Sequence, residues 1–199
     1  MLEVREIGII TVPFVERIKL RLVVNLKSNN NERFPKESSF RILGIKIPII
    51  NIEGKKIVDE APSLNIDKIV GGRAVVAGHI LSNNVDIFAA NERGVNFLYK
   101  NVDGTFYDVA SMYNVLDPYE NGRGTALSDI LYRGKLDIIS GNWDGEHRIF
   151  VKRENSFKDI ADKNFKRPSK IRTVISADFD NDGYDEIFLN NIGEPNKLF

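Results

Sequence analysis

The segment from Ala177 to Asn191, ADFDNDGYDEIFLNN, concentrates oxygen donors directly before an apolar run. Carboxylates occupy positions 1, 3 and 5 of a loop that begins at Asp178. Glycine occupies position 6, where a sharp turn favours a residue without a Cβ. Position 7 can offer a backbone carbonyl and position 9 a further carboxylate, and such hard oxygen donors without His or Cys favour Ca²⁺ over zinc. The predicted Ca²⁺ ligands are Asp178, Asp180, Asp182, Glu186 and the backbone carbonyl of Tyr184.

A metal-free interpretation of this loop is also open. An Asp/Asn/Gly turn can use its carboxylates to accept hydrogen bonds from backbone N–H groups. We favour Ca²⁺, because clustered carboxylates repel one another unless a cation neutralises them. The residues that follow, Glu186-Ile-Phe-Leu-Asn, alternate as in a strand and do not supply the second helix of an EF-hand. The loop is therefore expected to connect two strands.

The strand after this loop belongs to a repeat. Its sequence DEIFLNN (185–191) matches VDIFAAN (85–91) and LDIISGN (136–142), and successive copies are 51 and 49 residues apart. The alignment continues past each strand, where it equates His147 with an Asn of each of the other two copies. Further landmarks recur in the same order: an Arg before each strand, and an aromatic-x-Asp-x-Ala motif. The aligned residues are Asn91, Asn142 and Asn191; Asn96, His147 and Asn196; Arg73, Arg123 and Arg172; FYDVA (106–110), FKDIA (157–161) and a weaker IVDEA (57–61).

This repeat predicts the fold class. A period near 50 residues with about four short strands separated by Gly, Asn and Asp turns is typical of a propeller blade. We predict an all-β chain in which residues 55–199 form a partial β-propeller of about three four-stranded blades, with the printed sequence ending inside the third. Residues 1–54 are predicted to form a divergent β-rich extension, since segments such as RIKLRLV (17–23) alternate polar and apolar residues. We also expect Phe106 and Phe157 to be buried between sheets.

The equivalent loops of the other two repeats lack the full acidic pattern. The middle copy keeps Asp129 and Asp137 at positions 1 and 9, but Leu131 and Arg133 occupy positions 3 and 5. The guanidinium could replace an ion by bridging those two carboxylates. In the first copy the aligned residues are Gly78, Ile80, Ser82 and Asp86. One metal site is therefore expected, in the third loop.

The motifs together resemble the cartilage acidic protein (ASPIC-type) family, whose FG-GAP/VCBS-like repeats are similar to the calcium-bearing blades of integrin α-chain propellers. The resemblance rests on residues 71–110, GRGTALSDI (122–130), LDIISGNWDGEHRIF (136–150) and residues 171–191, within a match over about residues 55–199. It implies an extracellular or cell-surface protein that binds calcium, acts through contacts with a protein or glycan partner and has no catalytic activity. Three blades do not close a propeller ring, so we expect either a fragment or a divergent member whose N-terminal stretch supplies substitute strands. Association through the open blade edges is a separate expectation.

Composition and missing motifs limit the other functions. The 199 residues carry 28 Lys/Arg and 28 Asp/Glu, which gives no basic excess for nucleic acid, and no Cys for thiolate chemistry. No apolar run approaches the length of a membrane span, and the N-terminus does not read as a signal peptide. His147 is expected to complete a turn, and Trp143 to pack within or at the rim of a blade, with sugar stacking as the alternative. No GxSxG, HExxH or phosphate-loop pattern is present.

Two functions of different classes follow from these observations. The first is a calcium-binding, non-catalytic propeller module for extracellular adhesion or for protein or glycan binding. The alternative is an accessory repeat region of a larger carbohydrate-active or adhesin enzyme.

Overall fold

The computed structural model describes residues 59–199, and the predicted N-terminal extension lies outside these residues. They form eleven strands and no helix. The strands are β1 (Gly72–Gly78), β2 (Asp86–Asn91), β3 (Phe97–Val102), β4 (Thr105–Asp108), β5 (Gly122–Ser128), β6 (Asp137–Asn142), β7 (Arg148–Lys152), β8 (Phe157–Asp159), β9 (Ile171–Ala177), β10 (Glu186–Asn191) and β11 (Lys197–Leu198). Within residues 59–199 no helix is long and apolar enough to cross a membrane.

The strands form three antiparallel sheets in chain order, which we call blades 1 to 3. Blade 1 has the order β1-β2-β3-β4, blade 2 the order β5-β6-β7-β8, and blade 3 contains β9, β10 and β11. Neighbouring strands along the chain are neighbours in each sheet, because short polar hairpins join them. The predicted all-β, propeller-like architecture is confirmed, with three strands in the third sheet instead of four.

Hydrophobic cores lie between consecutive blades. One cluster joins Phe88 and Leu98 of blade 1 to Ile138, Phe150 and Phe157 of blade 2. A second cluster joins blade 2 to blade 3 in the same way, and its buried members are Ala126, Ile139, Phe165, Ile171, Val174, Ile187 and Leu189. Each sheet therefore buries its apolar side chains against the next sheet, which fixes the stacking of the blades.

The aromatic-x-Asp-x-Ala motif connects one blade to the next. In each copy the Asp carboxylate accepts the N–H of the Ala two residues later, at 3.1 Å for Asp59, and at 3.0 Å for both Asp108 and Asp159. At Asp108 and Asp159 this turn ends a blade and redirects the chain towards the next one, and at Asp59 it precedes blade 1. Phe157 is buried as predicted, but Phe106 is only half-buried against a smaller cluster around Tyr99.

Close approach of the first strands requires glycine in blade 2. A Cβ on Gly124 would lie 2.8 Å from the backbone nitrogen of Val174 in β9, and one on Gly122 would lie 2.6 Å from the Cβ of Ala90. Neither distance is possible for real atoms, so these two positions let β5 pack closely against both of its neighbours.

Candidate metal centre

The predicted metal loop connects β9 to β10 in blade 3. Asp178 organises it, because its two carboxylate oxygens accept the N–H groups of Asp182 (3.1 Å) and Gly183 (3.0 Å). Two residues adopt left-handed backbone conformations, Asn181 with φ 63° and Gly183 with φ 92°. Asn and Gly are the residues that tolerate this conformation best. The loop is therefore tightly coiled, as the spacing predicted.

Three of the predicted ligands come together in this loop. Carboxylate oxygens of Asp178, Asp180 and Glu186 all lie within 4.8 Å of one another. Asp178 and Asp180 are exposed and Glu186 is half-buried, so the cluster is open to solvent. A Ca²⁺ ion takes oxygen ligands at about 2.3–2.6 Å, so a group of this span fits around one such ion.

Asp182 takes a different position from the other carboxylates. It is not among the three residues whose oxygens converge, and its Oδ1 accepts the N–H of Tyr184 at 2.7 Å. Its own N–H donates to Asp178 and Asp180. In this geometry Asp182 braces the loop, while Asp178, Asp180 and Glu186 are the residues that could hold a cation.

No internal cation neutralises this cluster within residues 59–199. The segment Asp178 to Glu186 carries five carboxylates and no Lys or Arg. None of the ion pairs in the described part of the chain involves it. Hard donors without a resident positive charge suit a divalent cation of the Ca²⁺ type.

The corresponding loop of blade 2 has the same backbone but a different cation. Asp129 accepts the N–H groups of Arg133 (2.8 Å) and Gly134, as Asp178 does in blade 3. Tyr132 and Gly134 are left-handed, with φ 52° and 68°, at the positions of Asn181 and Gly183. The position of the guanidinium differs from our expectation. It donates to Asp137 (2.7 Å) and to the carbonyl of Lys152 (2.7 Å), and does not bridge to Asp129.

The pairing has a physical reason. The two oxygens of Asp129 are already engaged by backbone N–H groups, whereas Asp137 is fully buried and faces Arg133 across the loop. Burial raises the pKa of Asp137, although the N–H of Lys152 and the Arg133 guanidinium both favour its charged form. The arginine therefore compensates the carboxylate that water cannot reach.

The loop of blade 1 is one residue shorter than the sequence alignment suggested. Gly78 pairs with Asp86 as Ser128 pairs with Asp137 and Ala177 with Glu186, so His79 and not Gly78 begins this loop. The ammonium of Lys152, on β7 of blade 2, donates to the carbonyls of Ile80 (2.9 Å) and Leu81 (3.0 Å). No local sequence pattern indicates this contact, because 72 residues separate Lys152 from Ile80.

Direct contacts connect the loops of blades 2 and 3. The rings of Tyr132 and Tyr184 lie 4.4 Å apart, measured between their centroids. Ser128, at the end of β5, donates to Asp185 at 2.6 Å. The candidate metal loop is therefore packed against its neighbour and not isolated on the surface.

The histidine aligned with asparagines has a structural role, as expected. In blades 1 and 3, Asn96 and Asn196 accept the backbone N–H of Asn91 (3.2 Å) and Asn191 (2.9 Å). In blade 2, Nδ1 of His147 accepts the N–H of Asn142 at 3.0 Å. Its Nε2 then donates to Ser169 (2.9 Å), which donates in turn to Asn191 of blade 3. Burial lowers the pKa of His147 to about 4, so the ring is neutral.

The repeated arginines occupy equivalent β-bulges. In each blade the pairing between the first two strands skips one arginine. These residues are Arg73, Arg123 and Arg172 in blades 1, 2 and 3. A bulge redirects the side chain of its extra residue. Arg123 pairs with Glu92, which also pairs with Arg73, and the guanidinium carbons of Arg123 and Arg172 lie 4.6 and 4.8 Å from the centroid of Trp143. The half-buried Trp143 therefore packs between blades.

Comparisons with known proteins agree with this architecture. The FG-GAP-like repeat family matches residues 129–189. This range runs from the loop between β5 and β6 into β10. Cartilage acidic protein 1 from Xenopus tropicalis is 49% identical over 149 residues, which is 70% of this chain. The proteins of the same name from Homo sapiens and Mus musculus are 48% and 46% identical, each over 151 residues or 71% of the chain. The aligned part of the chain covers 23% of the length of each relative. The resemblance stated from the motifs is confirmed.

Proposed function

We propose that this homologue of cartilage acidic protein 1 is an extracellular, non-catalytic repeat module that binds one Ca²⁺ ion in the loop between β9 and β10. The observation that carries the proposal is the convergence of the oxygens of Asp178, Asp180 and Glu186 within 4.8 Å. The lack of an internal cation near this cluster, within residues 59–199, supports it. The FG-GAP-like repeat and the relatives' name support the extracellular part of the proposal.

The proposed role of the ion is to hold one loop together. The carboxylates repel one another when no cation is present, and the loop sits against blade 2 through Tyr184 and Asp185. Binding of Ca²⁺ to the folded state alone then stabilises that state. Extracellular modules bind Ca²⁺ at about 10⁻⁴–10⁻³ M, so millimolar calcium adds roughly 1 kcal/mol.

We further propose that the module acts through contacts with a protein or glycan partner. The FG-GAP-like repeat and the similarity to cartilage acidic protein 1 support a repeat module of this kind. His147 and Trp143 are engaged in packing between blades, so we assign them no part in the contact.

The calcium proposal is tested by thermal unfolding of the whole chain in EDTA and in millimolar calcium. Wild type is expected to melt at a higher temperature in calcium. Asp180→Ala should abolish this difference, since it removes one of the three converging carboxylates together with its oxygen donors. Glu154→Ala is the matched control: this carboxylate is exposed and lies outside the loop. Equal melting temperatures of wild type in both buffers would show that the loop is only a capped turn.

A further inference from the structure

The loop of blade 2 shares the backbone of the candidate metal loop but has Leu131 and Arg133 in place of its carboxylates at positions 3 and 5. Both loops place an Asp at position 1 that accepts the N–H groups of positions 5 and 6. Both place left-handed residues at positions 4 and 6. Both end with a carboxylate at the start of the second strand, Asp137 in blade 2 and Glu186 in blade 3. The backbone that presents ligands in blade 3 is therefore already formed in blade 2.

The blade 2 loop contains a strained backbone conformation that its surroundings hold in place. Tyr132 is a bulky aromatic residue at φ 52°, in a region where Asn and Gly are far more common. A left-handed non-glycine residue of this kind is retained only when its surroundings hold it there. Here the carboxylate of Asp129 on the next two N–H groups and the ring of Tyr184 provide that support.

A positive group occupies the place opposite the last carboxylate of this loop. Arg133 is the position-5 residue, and its guanidinium lies 2.7 Å from Asp137 while its other arm binds the carbonyl of Lys152. Asp137 is fully buried, and its Oδ2 has no hydrogen-bond partner in the described part of the chain. The buried carboxylate of Asp137 therefore keeps one free oxygen beside the coiled loop, as in an incomplete coordination shell. Arg133 neutralises the charge of this carboxylate.

The loop of blade 1 gives independent support for the same arrangement. Lys152 brings an ammonium onto the carbonyls of Ile80 and Leu81, and Asp86 favours the charged form of this lysine. Burial still lowers the pKa of Lys152, because the ammonium is partly withdrawn from water. A positive group therefore enters the loops of both blade 1 and blade 2, by two unrelated routes.

We infer that the blade 2 loop is a latent divalent-cation site in which the Arg133 guanidinium stands in for the metal, so that restoring carboxylates at positions 3 and 5 makes it bind Ca²⁺. The inference extends the proposed function of the blade 3 loop to its neighbour. It requires that Leu131, which is 40% exposed, and Arg133 be the two residues that keep metal out.

The test uses the full chain with the blade 3 loop disabled. In the Asp180→Ala background, Leu131→Asp with Arg133→Asp gives the loop sequence DIDYDGKLD at residues 129–137. Isothermal titration with CaCl₂ should then show one bound ion per chain, against none for Asp180→Ala alone. Zero bound ions in the folded triple variant would overturn the inference, whatever wild type does. A wild type that binds no calcium beside a triple variant that binds one would reject the proposed blade 3 site and leave this inference standing.

The new carboxylates repel Asp137 when calcium is absent, so the triple variant can unfold in EDTA. In that case calcium is added while far-ultraviolet circular dichroism follows the β-signal. Recovery of the wild-type spectrum in millimolar CaCl₂, with none in the same concentration of MgCl₂, supports the latent site. A spectrum that stays unfolded in both salts overturns it. Leu131→Ala with Arg133→Ala in the same background is the matched control, because it removes the arginine without supplying oxygen ligands and should bind no calcium.

Discussion

Blades 2 and 3 contain hairpin loops with the same backbone, but the loop carboxylates differ in whether a positive side chain pairs with them. In blade 2 the final carboxylate, Asp137, is fully buried and paired with Arg133, which is 26% exposed. In blade 3 the carboxylates lie at the surface, and no Lys or Arg of the described residues pairs with them. The backbone is the same because the position-1 Asp and the two left-handed residues determine it. The positive group that pairs with the last carboxylate is determined separately, by the side chain at position 5.

That difference shows how a repeat can change the charged groups of a loop without changing its backbone. The guanidinium of an arginine is part of the chain, so it can remain paired with a buried carboxylate when the geometry is good. An exchangeable ion needs access to solvent, so its ligands remain at the surface. Blade 2 is therefore expected to depend on packing and its ion pair, and blade 3 on the ionic conditions.

The largest expected effect separates the blades by packing. Phe157 of blade 2 is buried in the cluster shared with blade 1, whereas Phe179 in the blade 3 loop is 49% exposed. Phe157→Ala should lower the free energy of unfolding by about 3–5 kcal/mol, through lost contacts and a residual cavity. Phe179→Ala should cost less than about 1 kcal/mol. Urea denaturation measures both, and similar losses would contradict the assignment of the core between blades.

The next largest effect comes from the ion pair of blade 2. Arg133→Met leaves the buried Asp137 carboxylate without its partner and should cost about 3 kcal/mol. Adding Asp137→Asn removes the stranded charge while keeping an oxygen for the N–H of Lys152, so the double variant should be more stable than Arg133→Met alone. A double-mutant cycle in urea measures this coupling. Additive losses would show that the pair contributes no coupling.

Acid conditions should distinguish blade 2 from its neighbours, because it alone has His147 at the asparagine position. The folded-state pKa of His147 is about 4, below the ordinary value of 6.5, since the buried ring is held neutral. A depressed histidine pKa makes protonation favour the unfolded state. The stability is therefore intact above pH 6.5 and is lost as the pH falls from 6.5 towards 4, by up to about 1.4 kcal/mol per pH unit.

His147→Asn restores the residue found in blades 1 and 3 and should flatten this part of the acid profile of the free energy of unfolding. His79→Asn is the matched control, since it removes the other of the two histidines and should keep the slope. An unchanged slope in His147→Asn would mean that other groups cause the acid loss.

The smallest effect concerns the repeated arginines. Arg123 of blade 2 pairs with Glu92 and lies over Trp143, and its side chain is 13% exposed. Arg172 of blade 3 is exposed and lies over the same ring. Arg172→Met should cost no more than about 1 kcal/mol, the usual range of an exposed cation–π contact. Arg123→Met should cost more, because it also leaves Glu92 with one partner fewer. The reverse order in thermal unfolding would contradict the roles assigned to the two bulges.

Much of the fold could be predicted from the sequence, because the features that define it are local. The spacing of three strand-like segments, their terminal Asn residues and the Asp-x-Ala turns recur every 50 residues or so, and each maps onto an equivalent place in a blade. The coiled acidic loop was also visible, since its carboxylates, glycine and following strand lie within nine residues. The alignment of His147 with two asparagines predicted its turn-closing hydrogen bond.

What only the tertiary structure decided depends on contacts between distant residues. The sequence placed Arg133 near two carboxylates, but the register of β6 against β7 determined that it binds Asp137 and the carbonyl of Lys152. No spacing rule connects Lys152 to the blade 1 loop, because that contact depends on how one sheet stacks against the next. The pairing of Gly78 with Asp86 likewise shortened a loop that the alignment had made equal in length. Local patterns therefore determined which loops could hold a cation. The register within blade 2 determined how Arg133 is paired, and the stacking of the blades brought Lys152 to the blade 1 loop.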